Sequence, residues 1–146
     1  MLHPDKNIDG FLYSTDKSKL QPEVIHTFLA QRSYWAQNVP LEIVKQAIEG
    51  SVCFAIYDGK NQIGFARIIT DDATFAYLAD VFVLEEYRGR GLSKQLMQYI
   101  MEYPAVSKIR RFMLATKDAH GLYAQFGFKP MKEPDRFMEI KPFERY

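Results

Sequence analysis

Asp80-Val81-Phe82-Val83-Leu84-Glu85-Glu86-Tyr87-Arg88-Gly89-Arg90-Gly91-Leu92-Ser93 decides how this chain folds. It starts as an apolar run with β-branched valines, which reads as the end of a buried strand. It then becomes a charged turn holding two glycines and two arginines. Beyond it Leu92, Leu96, Met97, Ile100 and Met101 recur at three- and four-residue spacing, the signature of one apolar helix face. Strand, glycine-rich turn and helix in that order aim free backbone N–H groups and the positive end of the helix dipole at one spot. Such a spot favours a phosphate or pyrophosphate. The glycines remove Cβ atoms that would block close approach, while Arg88, Arg90 and Lys94 supply cationic donors.

Three phosphate-binding patterns compete for this stretch. A Walker-type loop needs lysine then serine or threonine after its last glycine, and Gly91-Leu92-Ser93 lacks that pair. A dinucleotide fingerprint needs a third glycine where this chain has Lys94. What remains is R-x-x-G-x-S, from Arg88 through Gly91 to Ser93, directly after a strand. It resembles the acetyl-coenzyme A motif of the GNAT acetyltransferase family, Q/R-x-x-G-x-G/A, with Ser93 departing at the last, small position. A second segment, Ala119-His120-Gly121-Leu122-Tyr123-Ala124-Gln125-Phe126-Gly127-Phe128, is similar to the A-x-x-(F/L)-Y-x-x-x-G-F segment that closes the same family's fold.

The element pattern agrees. Gly10 to Thr15 reads as a first strand, Pro22 to Arg32 and Pro40 to Gly50 as two helices, and Ser33 to Val39 as the loop between them. Val52 to Tyr57 and Gln62 to Thr70 are strands joined at Asp58-Gly59, a hairpin signal. Thr74 to Val83 is the central strand, and a helix from Leu92 to Glu102 leads to a parallel strand over Ile109 to Ala115. Asp118 to Phe126 reads as a short helix, with Phe128 to Met131 and Phe137 to Ile140 as a last pair of strands. The order β-αα-βββ-α-β-α-ββ implies an α/β fold. Its mixed central sheet has about six to seven strands with about four helices around it, and residues 1–146 form a single domain. That is also the element order of the resembled family, over roughly residues 10 to 140.

The resemblance implies acetyl-CoA as co-substrate and an amine as acceptor. It implies that Arg88, Gly89, Arg90, Gly91, Leu92, Ser93 and Lys94 hold the pyrophosphate. Val81 and Val83 would pair with the pantetheine arm as an added strand, beside a bulge that leaves the Phe82 N–H facing the thioester oxygen. Tyr123 would protonate the departing thiolate; a phenol with a pKa of about 10 outlasts a thiol of about 8.5 as an acid. The alternative for Tyr123 is core packing beside Phe126 and Phe128. The base that takes the amine's proton is Asp80, His120 or a water chain. Tyr34, Trp35, Phe75 and Tyr77 line an acceptor pocket for a hydrophobic or aromatic amine, or else belong to the core.

Composition sets the outer limits. The net charge of +1 gives no case for nucleic acid or an anionic membrane. No apolar run approaches the ~20 residues of a membrane span, and Met1 to Gly10 is polar rather than a leader. The one cysteine, Cys53, excludes an internal disulfide and fits a reducing cytoplasm. His3, His26 and His120 show no metal spacing, and no nucleophile elbow exists. The expected activity is direct acetyl transfer to a primary amine, probed against two rivals: a non-catalytic coenzyme A-binding module and a protein or peptide acetyltransferase. Small domains of the resembled family often pair, so a homodimer is a further expectation.

Overall fold

The structure is a computed structural model describing residues 3–146; Met1 and Leu2, the first residues of the polar start, lie outside the described residues. One six-stranded sheet runs β1 (Lys6–Ile8), β2 (Phe11–Ser14), β3 (Val52–Asp58), β4 (Asn61–Thr70), β5 (Phe75–Val83) and β6 (Arg111–Leu114), in that spatial order. Every pairing is antiparallel except β5 with β6, which follow a helical crossover and run parallel. Helices α1 (Pro22–Arg32) and α2 (Leu41–Glu49) cover one face; α3 (Leu92–Met101) covers the other, and a short α4 (His120–Ala124) follows β6. The α/β class and mixed sheet are thus as the sequence implies.

Two differences have physical causes. The sheet begins one strand earlier than expected, because Asp9 and Gly10 both take positive φ (52° and 87°) and fold β1 onto β2. That is the same Asp-Gly turn chemistry as at Asp58-Gly59. His3 then docks this hairpin on α3, its Nε2 2.9 Å from the Tyr99 carbonyl. At the other end Phe128 to Met131 and Phe137 to Ile140 are not strands. Pro130 and Pro134 remove ladder donors there, and Phe128 instead packs edge-on against Phe112, ring centres 5.1 Å apart. The last helix is also shorter than Asp118 to Phe126, ending at Ala124, three residues before Gly127 turns to φ 94°.

The sheet face switches midway along β5. Ala76 and Leu78 point to the α3 side, where Leu96, Met97 and Ile100 are fully buried, yet Val83 points there too and Phe82 points to the α1 side. One extra residue in β5 relative to β4 reverses the alternation. Asp80 absorbs it with φ 55°, a left-handed conformation that aspartate tolerates better than most. Phe82, once turned over, stacks flat on Phe28 at 4.0 Å. Among the described residues no helix is long and apolar enough to cross a membrane.

The core on the α3 side is rich in phenols. Burial pushes Tyr13, Tyr99 and Tyr103 up to about 12, and Tyr103 also donates to Asp72 at 2.9 Å. The unfolded chain loses these protons near pH 10 and the folded chain only near pH 12. Neutral buried phenols therefore contribute fully below about pH 10, and that contribution fades as pH climbs to about 12. Urea titrations should show a level midpoint up to about pH 9.5 and a falling one above it. A midpoint that stays level to pH 12 contradicts this burial.

Candidate active site

The crossover from β5 to β6 creates a gap. Their pairing runs from Phe75–Arg111 to Leu78–Leu114 and stops. From Ala79 to Val83, β5 still pairs with β4 but has no strand on its other side. Into that gap opens a cavity of about 650 Å³, walled by Ala79, Asp80 and Val81 of β5, Leu114 to Ala119 after β6, and Tyr123 of α4. Tyr34, Trp35, Phe65, Tyr77 and Tyr146 supply the rest of its aromatic lining, and aliphatic side chains of α1 and α2 line it as well.

A second, smaller cleft of about 160 Å³ lies at the far end of β5, formed by Val83, Tyr87, Arg88, Gly89, Gly91, Leu92 and Ser93. Gly89 and Gly91 have φ 81° and 75°, and Gly91 caps α3 in the left-handed conformation with no side-chain cap. The first-turn amides of α3 therefore have no intrahelical partner. Arg90 folds back, its guanidinium 5.1 Å from the centre of the Tyr87 ring, and Arg88 and Lys94 stand exposed at the rim. Unpaired amides, a helix dipole and three cations make this cleft suited to an anion carrying two phosphates.

Tyr123 is 8% exposed, packed edge-on to Phe128, and also part of the cavity wall. Core and cavity positions are thus combined in one residue. Burial, with smaller contributions from Tyr34 and Asp118, pushes its phenol up to about 12. Asp80 faces the cavity from the bulge with both carboxylate oxygens engaged. Oδ2 accepts from Arg67 Nε at 2.7 Å and Oδ1 from the Trp35 indole N–H at 2.7 Å. Arg67 also donates to Ser51 Oγ at 3.0 Å.

Three candidates fall outside this arrangement: Phe82, which pairs with Phe65 of β4 and buries its ring on Phe28 away from both clefts, and two more. Phe75 sits at the opposite end of β5, 39% exposed, and takes no part in the cavity wall. Three residues separate it from Ala79, and β6 pairing keeps that end of the strand closed. His120, first residue of α4, is exposed and also absent from the wall, because the helix turns Tyr123 inward instead. Arg67 escaped the sequence reading, although a lone charge within the apolar run Ile63 to Ile69 is the kind of signal that marks a paired group. Lys117 and Tyr146 carried no such signal. Among the described residues, no cluster of three or more His, Cys, Asp or Glu stands close enough to hold a metal ion.

The sequence pattern of the Acetyltransferase (GNAT) domain matches residues 49–130, a span that holds β3 to β6, α4 and the smaller cleft. The chain belongs to the GNAT acetyltransferase family. A GNAT-family structure from Xanthomonas campestris pv. campestris superposes with a TM-score of 0.89 at 49% identity, covering 92% of this chain and 95% of that one. A protein of Gibberella zeae named as an acetyltransferase is 31% identical over 86% of this chain and 82% of its own length. A GNAT acetyltransferase of Elizabethkingia anophelis, solved with acetyl-CoA bound, shares the fold at 15% identity, TM-score 0.62, over 90% of this chain and 88% of that one. As a GNAT member this chain is an enzyme of the N-acetyltransferase class.

The glycines of the GNAT loop give a direct check. A Cβ at Gly91 meets nothing within 4 Å, so alanine there is resisted by backbone conformation alone. Gly91→Ala should lower unfolding free energy by about 1–2 kcal/mol and weaken acetyl-CoA binding, read by denaturant titration and calorimetry. A variant as stable as the parent, with equal affinity, contradicts the cradle.

Proposed function

We propose that this GNAT enzyme transfers acetyl from acetyl-CoA directly to the primary amine of a small molecule seated in the 650 Å³ cavity. The observation that carries the reading is the pair of clefts joined by the unpartnered edge of β5 from Ala79 to Val83. The edge offers free backbone groups to the amides of a pantetheine arm, as an added strand does. The glycine cradle suits the pyrophosphate at one end, and Tyr123 stands at the other. A thioester supplies an activated acyl group whose leaving thiolate needs a proton.

The chain's own groups supply the rest. The Tyr123 phenol, kept neutral by burial, donates to the departing sulfur. The amine's lone pair forms the new C–N bond as the C–S bond breaks, so no acyl-enzyme is required. Cys53, the thiol most apt to form one, is buried and its thiol pushed up to about 11. With Asp80 in an ion pair and His120 outside the wall, the ammonium proton leaves through solvent at the open rim. Aromatic walls favour an acceptor with an apolar or aromatic body, its cationic form held against ring faces before deprotonation. A cavity of this size, with an apolar wall and two aromatic rings at its rim, supports a small acceptor over a peptide chain.

Thiol release from acetyl-CoA with a panel of primary amines tests the activity. Binding of acetyl-CoA with no thiol release from any amine favours a coenzyme-binding module. Tyr123→Phe should lower kcat by about 100-fold while acetyl-CoA affinity holds. Because the phenol stays neutral to about pH 12, kcat should climb with pH and show no falling limb between about pH 8 and 10. A falling limb there that Tyr123→Phe abolishes would contradict the raised phenol pKa, and a Tyr123→Phe variant with undiminished kcat would overturn the acid assignment.

A further inference from the structure

We infer that the segment Ser33–Val39, joining α1 to α2, is a strap across the gap between β5 and β6. Asp80 is the positioning residue that receives it. The strap's bearing on acceptor choice rests on the transferase reading above.

The two strands lose backbone contact beyond Leu78 and Leu114, and nothing in the sheet fixes their separation from there on. Two adjacent side chains of the strap reach opposite sides of the opening. Trp35 donates its indole N–H to Asp80 Oδ1 on the bulge of β5 at 2.7 Å. The Tyr34 hydroxyl accepts the backbone N–H of Lys117, three residues beyond the end of β6, at 2.9 Å. The two rings meet edge-to-face, centres 5.0 Å apart, so the attachments form one rigid bridge. The Lys117 ammonium lies over the Tyr34 ring at 5.5 Å and adds a second contact on that side.

The strap is itself anchored. Ser33 Oγ donates to the Leu29 carbonyl at 2.7 Å and accepts the Ala36 N–H at 3.0 Å, which locks the exit from α1. Asn38, at φ 65°, donates its N–H to the Ala30 carbonyl, and His26 Nε2 lies 2.9 Å from the Val39 carbonyl. A segment fixed at both ends to α1 presents Tyr34 and Trp35 in set positions. Yet both rings remain 49% and 43% exposed, so they form the outer rim of the cavity rather than its floor.

Asp80 is suited to receiving a strap. Its second oxygen is held by Arg67, which in turn reaches Ser51 beside α2, and the ion pair is largely buried, 17% and 13% exposed. Such a pair fixes geometry more than it adds stability. Both oxygens are committed, so the carboxylate orients the bulge and the strap together. Substituents on the acceptor must pass beneath Trp35 and Tyr34, and the bridge sets how wide they can be.

Trp35 is the chain's one tryptophan, so its emission reports the bridge in the full chain without any added probe. Tyr34→Phe and Asp80→Ala should each shift emission to longer wavelength and raise quenching by acrylamide. Unchanged emission and quenching in both overturn the strap; should Asp80→Ala fail to fold, Tyr34→Phe alone decides. Kinetics with acetyl-CoA and ethylamine, phenylethylamine or tryptamine give the second readout. Trp35→Phe keeps a ring and loses the N–H. It should change the preference between the narrowest and widest amine by roughly ten-fold, chiefly through KM, with acetyl-CoA affinity unaltered. Equal loss of acetyl-CoA affinity, or an unchanged preference, counts against the strap. Asp80→Asn should leave the acid limb of kcat/KM at its wild-type pH; disappearance of that limb would make Asp80 the base and overturn the positioning role. If the wild type acetylates none of the three amines, the small-amine reading fails while the emission measurements still judge the strap.

Discussion

One surplus residue in β5 is the constraint on which the rest of the site depends. Asp80 takes a left-handed backbone so that β5 keeps its pairing with β4 while the alternation of faces reverses. Before the bulge the strand is a closed interior strand, paired on both sides. After it, one side has lost its neighbour, and a row of backbone donors and acceptors faces a cavity. Unpaired backbone groups away from water are costly, so an edge of this kind persists where something polar and extended can lie along it. Fold and chemistry are therefore set by the same few residues, Asp80 to Val83.

The two ends of that edge use different physics. At the α3 end the groups that face outward are backbone amides freed by a helix start, and the side chains contribute chiefly by being absent at Gly89 and Gly91. At the other end the groups are side chains from four separate elements: Tyr34 and Trp35, Arg67, Asp80, and Tyr123. The first kind of site binds anything carrying the right phosphates. The second kind discriminates, because aromatic rings and a fixed ion pair exclude shapes as well as admit them.

That contrast explains what could be read from sequence. The glycine loop offered as a phosphate cradle is contiguous, from Arg88 to Ser93, and its spacing is what marks it. The central hairpins, the crossover helix and the order of elements were legible for the same reason, since each is signalled within a dozen residues. Asp9-Gly10 carried the same signal as Asp58-Gly59 but stood in a polar setting, where strand periodicity is faint over three residues. The expected final strand pair failed where Pro130 and Pro134 outweigh alternating Phe137, Met138 and Ile140, the last two of which lie 97% and 94% exposed. Arg67 and the Trp35–Asp80 contact span 13 and 45 positions of sequence, and no local pattern announces them.

The fate of the acceptor's proton follows from the same geometry. A base must be free to accept, and the one carboxylate of β5 that faces the cavity already accepts from a guanidinium and an indole. That ion pair is mostly shielded from water, 17% and 13% exposed, and it occupies the carboxylate. On the proposed reading Tyr123 has the opposite task, since a phenol kept neutral by burial still carries a proton to give. What the cavity does have is a rim whose two rings are nearly half in solvent. In the proposed reaction, deprotonation by solvent at that rim, before the amine moves inward, would separate the two proton events in space: one lost at the mouth, one gained at the sulfur on the Tyr123 side. On the proposed reading the enzyme binds the cationic amine at the rim rings and passes it inward as the neutral form. Its pH dependence below the phenol's range is then set by the acceptor it is given more than by any residue of its own.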